Sequence, residues 1–237
     1  MLMVLAAVAS AQGLGPEVLV GPLAEGDMET TSAVRLLLFL TGLSFLPTML
    51  IVMTPFVRFV VVLSLARQAL GLAQSPPNQV IVGLSAFLTL LVMQPAFEVS
   101  WAQGVAPYLD GTLDTQTALE RSVEPLRGFM LLNIRRTEMA VVLQAARMPE
   151  PETLAEIPIS AVVSAFVLSE LQTAFTIAVY VYLPFVVIDL VVSSVLLGLG
   201  MMMLPPVMVS LPFKLLIFVL MDGWALLVSN LVAGVAT

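Results

Sequence analysis

Glu170, Asp189, Lys214 and Asp222 sit inside stretches that are otherwise almost pure hydrocarbon. An ionised side chain at the centre of a bilayer costs at least about 2.5–3.5 kcal/mol, so each marks either a helix end or a functional contact. Lys214 is the only lysine in the chain and needs an acid to neutralise it. Glu170 is the first candidate partner and Asp222 the second, within one chain or between subunits. Asp189 and Asp222, on separate apolar segments, also raise the question of an intramembrane aspartyl dyad. Asp222-Gly223 is preceded by Val219-Leu220-Met221, without the Gly-x-Gly-Asp setting of such proteases, so no catalytic residues are assigned.

Other chemistry is excluded by what is missing. There is no Cys and no His, which removes thiol nucleophiles, Ser-His-Asp triads and Cys/His metal sites, and no metal or cofactor is expected. Net charge is −7, and nine cations dispersed over 237 residues form no basic stripe for nucleic acid. The segment Gly198 to Pro206 is of another kind. Glycines and a Pro-Pro pair interrupt an apolar run, as in the broken helices that line membrane cavities. Met201, Met202 and Met203 occupy that break. Unbranched thioethers fill irregular gaps, so the trio reads as a hydrophobic constriction that closes by excluding water and ions. Arg58 and Arg67 read as topology determinants of a cytoplasmic turn, one of them free to bind partner carboxylates.

The elements that position these residues are helices. With 59% hydrophobic and 11% charged residues, the chain cannot face water over most of its surface, and backbone in lipid must satisfy its own hydrogen bonds. Residues 1–11 end in Ala9-Ser10-Ala11, a small-x-small pattern expected of a signal peptide, and 12–33 form an acidic extracytoplasmic lead-in. Residues 34–97 form a first apolar hairpin. Its charge-free stretch Leu36–Val57 is long enough to cross a core of roughly 30 Å, with kinks expected at Pro47 and Pro55. Gln74-Ser75-Pro76-Pro77-Asn78-Gln79 makes the turn, and a helix is expected over Val80–Met93. The turn carries arginines and no acid, which places it in the cytoplasm and the N-terminus outside.

Residues 98–180 are expected to be an outer, periplasmic helical region. Glu98–Pro158 holds fourteen of the 25 charged residues, and its apolar periodicity predicts one helix over Glu120–Arg147, closed by Pro149 and Pro151. Ile159–Ala178 is two-faced, with Val162, Val163, Phe166 and Ala174 on one side and Ser160, Ser164, Ser169 and Gln172 on the other, so it packs against protein rather than lipid. Residues 181–237 form a second hairpin, Phe185–Gly198 and Leu211–Val232, joined by the methionine break.

Longer strings are specific. Met53-Thr54-Pro55-Phe56-Val57-Arg58-Phe59, Val62 to Gly71 and Ser75-Pro76-Pro77-Asn78-Gln79-Val80 resemble the first hairpin of the FliP family. Ala165 to Leu171, Pro184 to Asp189, Gly200 to Val207, Ser210 to Lys214 and Asp222-Gly223-Trp224 resemble its later motifs. The outer region matches loosely beyond Pro125 to Met130. The resemblance implies an all-α, membrane-associated protein of two long kinked hydrophobic hairpins flanking a more polar helical region. It implies a homo-oligomer that assembles with FliQ-like and FliR-like subunits and other export-apparatus membrane proteins. The assembly would be a helical export gate in the inner membrane at the flagellar basal body, passing unfolded flagellar proteins. Met201, Met202 and Met203 would be its gasket, and Glu170, Lys214, Asp189 and Asp222 its contact charges. Virulence type III secretion (SctR-like) gates share the same core, and a small ion or solute transporter is the more distant alternative.

Overall fold

The computed structural model describes residues 37, 40–41, 44, 48–49, 51–149, 151, 153–201 and 203–235. The expected signal peptide, the acidic lead-in, most of Leu36–Val57 with its Pro47 kink, and Met202 lie outside the described residues. Everything regular among the described residues is helical: α1 (Phe56–Ala69), α2 (Asn78–Ser100), α3 (Ala106–Leu109), α4 (Thr115–Asn133), α5 (Arg136–Ala145), α6 (Ile159–Gly198), α7 (Pro206–Leu220) and α8 (Gly223–Ala233). A π-helical turn, Trp101–Val105, joins α2 to α3, so the run Asn78–Leu109 reaches well past the expected Val80–Met93. That run and α6 are both long and apolar enough to cross a membrane.

The described residues divide into two compact units, one of residues 94–167 with those described up to 54, the other of residues 55–93 and 168–235. In the first, Asp114 caps α4 by accepting from the backbone N–H groups of Gln116 and Thr117 at 3.1 and 3.2 Å. The cap starts α4 five residues before the expected Glu120. The single helix expected over Glu120–Arg147 is two: Ile134 and Arg135 are extended between α4 and α5. The Asn133 side chain donates to the Phe129 carbonyl at 3.0 Å, and this local bond competes with the helical ladder where the helix stops. Gly104 lets the π turn meet α4, since a Cβ there would lie 1.9 Å from Ser122 Oγ and 2.9 Å from the Ala118 carbonyl. Phe129 and Phe166 meet edge-on with centroids 6.0 Å apart. Arg127 Nη2 donates to the carbonyls of Leu154, Ala155 and Ile157, tying the segment before α6 to α4.

In the second unit α1 starts at once after Pro55 and buries Arg58, Phe59, Val62, Leu63, Ala66 and Ala69, one stripe at helical spacing. It ends in a Schellman turn on Gly71, whose φ of 79° suits glycine. Ala66, Ala69 and Leu70 pack with Phe185, Phe218 and Leu227. Gly223 has no Cβ to occupy the space of the Phe218 ring, which stacks edge-on with Trp224 at 5.3 Å. The expected second hairpin is redrawn. Where one helix was expected to end at Ala178 and another to begin at Phe185, α6 is continuous for 40 residues, because Pro184 removes one backbone donor without ending it. The expected Leu211–Val232 helix is two, α7 and α8, bent by 61° at Asp222, which takes the left-handed conformation (φ 51°).

Candidate functional site

Arg58 and Glu170 are deeply enclosed charges, at 3% and 1% exposure. Arg58 Nε donates to Glu170 Oε2 at 2.8 Å, and Nη2 donates to Oε1. Nη1 donates to the Gly234 carbonyl at 2.8 Å, just past the end of α8. The planar guanidinium matches a carboxylate bidentately, which is how two charges are accommodated away from water. Arg58 is therefore not a residue of the turn, as the charge pattern had it. It lies in the first turn of α1 and joins α1, α6 and the chain after α8. Arg67 does brace the turn: Nη1 donates to the Pro76 carbonyl at 3.0 Å and to Asn78 Oδ1 at 2.7 Å.

Lys214 pairs with neither Glu170 nor Asp222. Its Nζ donates to Asp189 Oδ2 at 2.6 Å and to the Ala69 carbonyl at 3.2 Å, while Ser210 Oγ donates to Asp189 Oδ1 at 2.5 Å. The reason is geometric. Asp189 lies nine residues before the end of α6 and Lys214 eight after the start of α7, so helices rising 1.5 Å per residue bring the two level across the break. Ser210, four residues before Lys214, lies on the same face of α7, which starts at Pro206 and not at the expected Leu211, so the sequence reading missed it. Asp222 is exposed, makes no side-chain cap bond and is not brought to Asp189.

The break itself closes α6 with a Schellman turn. Gly200 has φ 75°, its N–H bonds the Leu197 carbonyl, and the Met201 N–H bonds the Leu196 carbonyl. Pro206 opens α7 at a position where a missing N–H costs nothing. Between these stops Met201 is 45% exposed and Met203 97% exposed. None of the described residues covers the Met203 side chain. Large apolar side chains are exposed along whole helix faces too, including Val80, Leu84, Phe87 and Leu91 of α2.

Membrane-length helices, charges neutralised in buried pairs, and apolar faces left open define a helical membrane protein built to be covered by lipid or by other polypeptides. The particular family is equally plain: a sequence model of the FliP family matches residues 39–231, which takes in every charged and methionine residue named above, and the chain belongs to that family. It is similar to proteins called flagellar biosynthetic protein FliP. The relative from Pectobacterium carotovorum subsp. carotovorum is 46% identical over 216 residues, 91% of this chain and 84% of the relative. The Bacillus subtilis relative is 46% identical over 201 residues, 85% and 91% of the two chains. The Caulobacter vibrioides relative is 47% identical over 203 residues, 86% and 76%.

Proposed function

We propose that this chain is a core subunit of the flagellar protein export gate in the bacterial inner membrane, building with further copies and with FliQ-like and FliR-like subunits a pore for unfolded flagellar proteins. It acts as a conduit and not as an enzyme. Met201, Met202 and Met203 form the closed seal, and the buried charge pairs hold the helices that carry it. Flagellar rather than virulence secretion is favoured by the relatives above, whose names are flagellar.

The observation that carries this reading is the methionine at 97% exposure on a rigidly stopped break between two apolar helices. A thioether this exposed is free to meet its equivalents from other copies around an axis, where a ring of apolar groups excludes water. Replacing Met201, Met202 and Met203 together by alanine tests it. The assembled complex is expected to keep its mass and to leak ions, read as conductance across a vesicle membrane. An assembled complex that stays ion-tight overturns the seal.

A further inference from the structure

Thioether sulfur is nucleophilic, carries no proton to lose, and reacts with peroxides at a rate governed by access. Access differs sharply along this chain: Met203 is 97% exposed, whereas Met93 and Met130 are fully buried at 0%. No thiol competes, because the chain has no cysteine. The Gly200 turn on one side and Pro205-Pro206 on the other hold the segment short, and Met203 stays exposed between them. Oxidation of Met93 or Met130 would force a polar group into the core. Oxidation of Met203 leaves the packing of its own chain intact.

We propose that Met203 is an oxidation site for hydrogen peroxide and that its sulfoxide unseals the pore. The sulfur lone pair attacks one peroxide oxygen, the O–O bond breaks as the S–O bond forms, and proton transfer releases the other oxygen as water. Sulfur is oxidised by two electrons and the peroxide is reduced. The product is polar and accepts hydrogen bonds from water. This consequence rests on the seal proposed above: a constriction that closes by dewetting is wetted when a sulfoxide replaces a thioether.

The test uses the assembled complex in saturated-lipid vesicles exposed to hydrogen peroxide, with peptide mass mapping and conductance followed together. Met203 is expected to gain one oxygen at least about tenfold faster than Met93 or Met130, because a seal ring still borders the water of the channel on either side whereas core thioethers border none. Conductance should rise in step and fall again after treatment with the reductases specific for the two sulfoxide epimers. The same rise is expected in a variant carrying Met208→Leu and Met221→Leu, which removes two other exposed thioethers. Oxidation of Met203 no faster than that of Met93 overturns the site. Full oxidation without a conductance change, in a complex whose triple-alanine variant leaks, overturns the unsealing alone. A triple-alanine variant that stays tight overturns the seal and the unsealing together, while the rate comparison still decides the site.

Discussion

A bidentate Arg58–Glu170 pair stabilises the chain only as a pair. Removing one partner of a buried ion pair leaves an uncompensated charge and costs about 3–5 kcal/mol, whereas replacing both by apolar groups of similar volume is often neutral. Glu170→Ala or Arg58→Ala is therefore expected to lower stability in detergent by about that amount. Arg58→Met combined with Glu170→Met should recover most of it, checked by denaturant titration of all four proteins. A double variant as unstable as the sum of the singles would show that the Gly234 contact, or a role between subunits, matters more. Asp114 makes a gentler, pH-dependent contribution. A side-chain hydrogen bond from Thr117, followed by the Thr117 backbone N–H, holds its carboxyl below the ordinary value. The folded pKa is depressed, so the cap's contribution is present above the ordinary carboxyl value of 3.8 and is lost as pH falls through the folded value. Hydrogen-exchange protection at the start of α4, corrected for intrinsic rates, should drop in acid. Asp114→Asn, which caps without titrating, should remove that drop.

Two elements depend on the absence of a side chain. The Cβ of an alanine at Gly104 would fall 2.8 Å from the Ser122 backbone nitrogen and 2.9 Å from the Ala118 carbonyl, neither of which can swing aside. Gly104→Ala is thus expected to separate the π turn from α4 and to lower stability by about 1–3 kcal/mol, the usual cost of overpacking. Gly128→Ala, which has open space around it on the same helix, should stay within about 0.5 kcal/mol of the parent. Equal effects of the two substitutions, measured by thermal unfolding, would contradict the close approach. Helix α6 sets a different constraint. Forty residues rise roughly 60 Å, about twice a hydrocarbon core. The half carrying Glu170, Gln172 and Thr173 therefore has no place in lipid when the half formed by residues 179–198 occupies it.

At the scale of the whole molecule, uncovered apolar surface is the dominant fact. The most apolar 18-residue window of α6 is only 11% buried. Soluble monomers do not leave faces of this extent open. Native mass measurement is expected to find this chain in a multi-copy particle that also retains the proposed FliQ-like and FliR-like subunits when they are co-expressed. A stable monomer indifferent to those partners would overturn the proposed gate.

Composition and periodicity alone determine the class of this protein, because water, lipid and the backbone's need for hydrogen bonds act on residue type and local spacing. The all-helical character, the turn before Asn78, the interruption at Gly198–Pro206 and the burial of Val162, Phe166 and Ala174 were legible for that reason, whereas Ser169, expected on the polar side, is fully buried with them. Helix ends were less so: Pro184 did not stop α6, while Asn133 and Asp222 stopped or bent helices through conformations that no periodicity encodes. Only the tertiary structure decided which charges meet. Arg58 and Glu170 stand 112 positions apart and Lys214 and Asp189 25 apart, and such pairs form according to which helix faces pack and at what height. A linear string does not carry that information until the chain has folded.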